Sequence, residues 1–190
     1  MIGERLARSF IRNKLAPKLI KNEGWSHVLL SNNDYKNHAW IWNTKLFDFD
    51  NFREDFVAHG FYPSMKLLSK YTLAIGILNQ SYCTPDGLLL KLRETGETKK
   101  LKVRSWSPLS RVRIERPRKP GNIYELPAVE GDLEIVEIKC GRQAKLMTRQ
   151  KETYNNLIAK EVPLRIIKVR IVSFDLNRYL VEEHKYERFL

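Results

Sequence analysis

The sequence predicts an α/β domain: a central mixed β-sheet flanked by helices. Three observations predict it. Apolar residues recur at helical spacing near the N-terminus and again over residues 144–160. Short apolar segments with strand character, WSHVLLS (25–31), DLEIVEIKC (132–140) and PLRIIKVRIVSF (163–174), are interleaved with them. The resulting order is helix, strand, insertion, strand, strand, helix, strand.

Taken in order, residues 3–22 read as a helix with Leu6, Phe10, Leu15 and Leu19 on one face. Pro17 is expected to break or kink it, and Gly24 to stop it before strand 25–31. Residues 32–80 read as an insertion between two core strands. SNNDYKN is a loop by composition, and Ala39 to Phe49 is aromatic-rich and ambiguous. Asp50 can cap a short helix, NFREDFVAH, ended by Gly60. A second helix is expected from about Ser64 to Leu78. CTPDG (83–87) is a turn that runs into the strand LLLKLRE. Gly96 reads as the centre of a hairpin, with ETKKLKVRSW returning. Residues 107–131 read as a proline-rich loop, and 105–131 as a second insertion. DLEIVEIKC is a buried strand ended by Gly141, 144–160 a helix, 163–174 a strand, and the tail a last strand or helix.

Length and composition bound the rest. With 190 residues, 43% hydrophobic and 11% aromatic, the chain fits one domain with a real core. No apolar run approaches the ~18 residues of a membrane span. MIGERLARSFIRNK lacks the apolar stretch of a secretory signal, so an intracellular, cytoplasmic location is expected. Two cysteines, Cys83 and Cys140, cannot build a disulfide scaffold, a four-thiolate zinc site or an ordinary iron–sulfur centre. The four histidines are scattered, so any metal is expected to be a hard cation held by carboxylates. The net charge of +12 implies an acidic partner, nucleic acid first. The charge is clustered: Lys99, Lys100, Lys102, Arg104, Arg111, Arg113, Arg116, Arg118 and Lys119 share their stretch with one acid, Glu115. The N-terminal helix adds Arg5, Arg8, Arg12, Lys14, Lys18 and Lys21.

The chemistry concentrates in EIVEIKC. Strand alternation puts Ile135, Glu137 and Lys139 on one face and Val136, Ile138 and Cys140 on the other. A carboxylate and an ammonium in an apolar strand are costly unless paired or used. Asp86 stands in a favoured turn sequence that leads into LLLKL. If that strand lies beside the Glu137 strand, the two carboxylates can converge. With the Ile138 carbonyl they can hold Mg²⁺ or Mn²⁺. Asp132 and Glu134 compete for the aspartate's place, but Asp132 lies roughly 16 Å along the strand from Glu137 and on the opposite face. The following helix carries a stripe of Leu146, Met147, Gln150, Tyr154, Leu157 and Ile158, with the polar Gln150 in its middle.

Three pieces in this order, Pro85-Asp86, Glu137-Ile138-Lys139 and Gln150-Lys151-Glu152-Thr153-Tyr154, resemble the PD-(D/E)xK nuclease superfamily. The last looks like the helix motif of RecB-like members. GERLARSF followed by GWSHVLLS is similar to the first helix and strand of archaeal Holliday-junction resolvases, and VPLRIIKVRI to the strand after the motif helix. Small archaeal-virus nucleases belong to the same group. The resemblance covers about half the chain and has no counterpart for residues 32–80 and 105–131. The gap between Asp86 and Glu137 is longer than the family pattern.

The resemblance implies a restriction-endonuclease-like core and metal-dependent hydrolysis of DNA, with branched DNA among the substrates. It implies metal ligation by Asp86, Glu137 and Ile138, charge stabilisation by Lys139, and orientation of the scissile strand by Gln150 and Tyr154. Glu4 stands where the family has a helix glutamate at the metal, and Glu54 is the alternative. A homodimer is implied by relatives of this size. Two other readings are open: a DNA-binding protein without catalysis on the same scaffold, and a nuclease acting on RNA.

Overall fold

The computed structural model describes residues 2–32, 56, 60–102, 123–141, 145–173 and 178–190. Glu54 and the basic residues Arg104, Arg111, Arg113, Arg116, Arg118 and Lys119 lie outside them, as do the short helix expected at 51–59 (except Phe56) and the aromatic segment 39–49.

Helices α1 (Ile2–Phe10) and α2 (Ala16–Glu23) are joined by a π-helical turn, Ile11–Leu15. The distortion expected at Pro17 takes this form. Proline lacks an N–H and its ring crowds the carbonyl four residues earlier, and a wider turn relieves both. The buried positions are Gly3, Ala7, Ile11, Leu15 and Leu19. Leu6 and Phe10, expected on the buried face, only flank it. Five positions four apart would drift around a straight α-helix; the widened turn helps keep them on one side. Gly24 ends α2 at φ 70°.

Strand β1 (His27–Asn32) follows. The two-residue strand β2 (Tyr62–Pro63) leads to α3 (Met65–Gln80), which Ser64 caps by accepting from the Leu67 N–H. Leu67, Leu68, Tyr71, Ala74, Ile75 and Leu78 of α3 are core residues. The second half of the segment read as an insertion is therefore packed into the core.

Strand β3 runs unbroken over Gly87–Lys102, and β4 over Ile123–Cys140. They pair antiparallel from Gly87↔Val136 to Lys102↔Ile123, with a bulge between Glu94 and Thr98. Two expectations are corrected here. Gly96 is not the centre of a hairpin: at φ 80° it lies in that bulge, and β3 continues beyond it. Residues 123–131 are not loop but the first half of β4. Pro127 is accommodated at the bulge, opposite Thr98. Gly131 lies where a Cβ would stand 2.1 Å from the Lys91 carbonyl oxygen, so no larger residue fits.

Helix α4 (Thr148–Ala159) connects β4 to β5 (Leu164–Ser173), which lies parallel to it; β6 (Arg178–Tyr186) returns antiparallel as the edge strand. The mixed sheet has six strands in the order β1-β3-β4-β5-β6, with β2 beside the first half of β4. α1 and α2 cover one face through Leu89, Val136, Ile167 and Val169. α3 and α4 cover the other over Leu88, Leu90, Ile135 and Ile166. Among the described residues no helix is long and apolar enough to cross a membrane.

Candidate active site

Alternation along β4 carries Glu137 to the α4 face and Ile138 to the α1 face, as the strand pattern predicts. Glu137 is buried, and three donors converge on its carboxylate. The Lys139 ammonium donates to Oε1 at 2.7 Å, the Gln150 amide to the same oxygen at 3.0 Å, and the Tyr154 hydroxyl to Oε2 at 2.6 Å. Lys139 also reaches Gln150 Oε1 at 3.4 Å. Gln150 is fixed by its helix: its side-chain oxygen accepts from the Met147 N–H at 3.0 Å, in the reciprocal bonding of a capping box. Met147, placed by the sequence in the buried stripe, is 72% exposed, because it caps α4 instead of belonging to it.

Asp86 arrives from the other side of β4. Its N–H donates to the Val136 carbonyl at 3.0 Å, and its Oδ2 accepts from the Ile138 N–H at 2.7 Å. The turn aspartate thus takes over β4 where the β3 ladder stops at Gly87↔Val136. Ile138 and Val136 present their backbone groups on the same side of β4. The Ile138 carbonyl therefore points to the place β3 has vacated, next to Asp86.

Glu4 is held differently. It lies on α1, on the opposite face from Glu137, and is 43% exposed. Its carboxylate pairs with Arg8 at 3.0 Å, and Arg8 donates in turn to the Asp86 carbonyl at 3.3 Å. Arg8 thus links Glu4 to Asp86. α1 can approach this closely because residue 3 is glycine: a Cβ there would lie 2.5 Å from Cys140 Sγ.

Two participants were not singled out from sequence. One is Arg8. The other is Cys83, buried beside Tyr154 and hydrogen-bonded to its side chain. Burial pushes the Cys83 thiol up, partly offset by that bond. Burial and the neighbouring Glu137 carboxylate push the Tyr154 phenol far above its ordinary value, so it remains a donor. The only sequence signal for either was position, Cys83 three residues before Asp86 and Arg8 one turn after Glu4.

The acids that competed for the aspartate's place lie elsewhere. Glu134 is fully buried, bonded to Lys91 at 2.8 Å and to Arg165 at 2.6 Å, with Lys185 at 3.6 Å. Arg165 also bonds Glu183. Burial alone would raise the Glu134 carboxyl, but Arg165 and Lys91 outweigh it and hold it below the usual range. Asp132 pairs with Lys70 at 2.5 Å. Of the basic cluster, Lys99 and Lys100 are exposed on β3, pairing with Glu97 and Glu125; the Lys102 side chain is not described.

Among the described residues no group of three or more His, Cys, Asp and Glu side chains gathers as a metal cluster. Asp86, Glu137 and the Ile138 carbonyl offer two carboxylates and a carbonyl, all hard oxygens. A carboxylate offers about four acceptor positions. Three donors on Glu137 leave room for one more partner, and Asp86 has capacity beyond the Ile138 N–H. Such a set fits Mg²⁺, which commonly takes one or two carboxylates and completes its shell with water and substrate phosphate.

Compared with known protein families, curated proteins and solved structures, the chain matches none.

Proposed function

We propose that this chain is a nuclease of the PD-(D/E)xK type that hydrolyses DNA phosphodiester bonds with Mg²⁺ or Mn²⁺. One observation carries the reading. Lys139, Gln150 and Tyr154, from a strand and the helix after it, all converge on Glu137, and Asp86 docks on the next backbone N–H. An ion pair at a strand end does not call for a buried tyrosine and a capping glutamine on the same carboxylate.

Asp86, Glu137 and the Ile138 carbonyl would hold the cation. When bound, it would activate water and offset charge on the phosphate. Tyr154 and Gln150 orient the Glu137 carboxylate. The Lys139 ammonium, at the edge of the buried region, is placed to stabilise developing negative charge. Arg8 and Glu4 hold the Asp86 turn. The basic residues of β3 and of the outer face of α1, α2 and the π-helical turn between them, where Arg5, Arg12, Lys14, Lys18 and Lys21 are exposed, supply backbone attraction without sequence readout.

The test is cleavage of plasmid and oligonucleotide DNA with Mg²⁺ or Mn²⁺ by wild type, Glu137→Ala and Lys139→Ala. Both variants are expected to lose about 10²-fold or more in rate. Equal cleavage by all three removes the assignment. A DNA-binding protein without catalysis is the second reading, favoured by one observation: both Glu137 oxygens already carry protein donors. Calorimetric titration with Mn²⁺ separates the two, since the second reading gives no binding lost on Glu137→Ala.

A further inference from the structure

The segments that deliver Asp86 and Gln150 also carry Tyr82 and Arg149, which the scheme above does not use. Helix α3 ends in a Schellman turn: the Cys83 N–H donates to the Leu78 carbonyl at 3.0 Å and the Tyr82 N–H to that of Asn79 at 3.0 Å. The left-handed position of such a turn favours glycine or asparagine. Here it is Tyr82, at φ 49°. This strained residue holds its ring 74% exposed, and the Arg149 guanidinium lies 5.5 Å from the ring centre.

Arg149 breaks a second preference. The first turn of α4 contains no acid but carries Arg149 and Lys151 at the positive end of the helix dipole, with Lys145 exposed just before it. Glu152, in the next turn, is the nearest acid along the helix. Local rules broken together beside a candidate site point to use. An aromatic face with a guanidinium next to it suits one ligand, a nucleobase with its phosphate.

We propose that Tyr82 and Arg149 form a subsite for one unpaired nucleotide of the DNA substrate. The base stacks on the Tyr82 ring and the adjoining phosphate meets Arg149. This rests on the nuclease reading and narrows it: the substrate offers a single-stranded element beside the cut. In uninterrupted duplex the base faces are covered by their neighbours, and a side chain cannot stack on them without extruding the base.

The test is equilibrium binding of a fluorescent dT oligomer and of a fully paired, blunt-ended duplex to the full chain in EDTA, where no cleavage occurs. The variants are Tyr82→Ala, Tyr82→Phe, Tyr82→Gly and Arg149→Gln. Tyr82→Ala and Tyr82→Gly are expected to weaken dT binding about 5- to 150-fold, the range for loss of one stacking partner. Tyr82→Phe keeps it within about twofold, since the ring remains. Arg149→Gln weakens it and flattens its salt dependence. Duplex binding is unchanged by the Tyr82 variants. Tyr82→Gly relieves the turn and raises the melting temperature, so its loss of binding is not unfolding. Equal dT binding by wild type, Tyr82→Ala and Tyr82→Gly overturns the subsite. If wild type cleaves DNA and Tyr82→Gly binds dT unchanged, the subsite falls and the nuclease stands. If wild type cleaves nothing and Tyr82→Gly loses dT binding, the nuclease falls and a nucleotide-binding site stands.

Discussion

Replacing Tyr154 by phenylalanine removes a single oxygen and leaves the ring packed. That oxygen is buried, donates to Glu137 Oε2 at 2.6 Å and is hydrogen-bonded to the Cys83 thiol. A hydrogen bond to an ionised carboxylate contributes about 1.5–3 kcal/mol. For a chain of 190 residues each kcal/mol shifts the melting temperature by about 2–4 °C. Tyr154→Phe should therefore melt about 3–12 °C lower. It also frees one oxygen of the proposed ligand. Loss of a group that orients a metal ligand costs about 10- to 100-fold in metal affinity or activity. The assay is a thermal melt without metal, and initial rates on a labelled oligonucleotide over a range of Mn²⁺. The rate loss should be greatest at low Mn²⁺. An unchanged melt means the phenol does not hold this carboxylate. A lowered melt with unchanged rates at every Mn²⁺ concentration means Glu137 takes no part in the reaction.

Three further outcomes follow from the packing. Glu134→Ala leaves Lys91 and Arg165 buried without their shared partner, and chemical denaturation should show a loss of about 3–5 kcal/mol; a loss below about 1 kcal/mol would remove the network as a stabilising feature. Stability should also fall in acid. The Glu134 carboxyl is held below its ordinary 4.5, so its contribution is complete above that pH and is lost as pH falls through the lowered value. Melts between pH 6 and 3 should decline more steeply for wild type than for Glu134→Gln. Gly131→Ala should cost about 1–3 kcal/mol, because the new Cβ meets the Lys91 carbonyl oxygen and the β3–β4 ladder must shift; an unchanged melt would contradict the close approach of the two strands.

Much of the site was legible because it is built from local rules. Alternation separates Glu137 and Lys139 from Ile138, and helical spacing sets Gln150 one turn before Tyr154. The sequence placed Asp86 beside Glu137 on one tertiary condition, that the strand after the turn pairs with β4; it pairs antiparallel to Gly87↔Val136, and Asp86 docks on the Ile138 N–H. Glu4 is reached through tertiary packing: α1 packs on the other face of the sheet from Glu137, and Arg8 is the link to Asp86. No periodicity in a single helix reports which face of a sheet it will cover.

The misread elements share a cause. Gly96, Pro127 and Gly131 are turn-forming residues by local preference, and each lies inside a long strand. Gly96 and Pro127 are absorbed by one bulge, and Gly131 makes room for the neighbouring backbone. These are properties of the pair of strands, absent from either alone. Met147 left the expected stripe because capping took its backbone out of the helix.

The amino-acid order by itself determined which residues share a face: strand and helix periods are local, set by backbone geometry within a few residues. It determined the α/β class and the residues that meet at Glu137. Only the tertiary structure decided which faces meet. It set Glu134 in an ion network under α1 and α2, tied Arg8 to Asp86, and brought Tyr82 beside Arg149. Those outcomes depend on contacts between residues 31 to 78 positions apart, and the free energy of such contacts exists only once the sheet has formed.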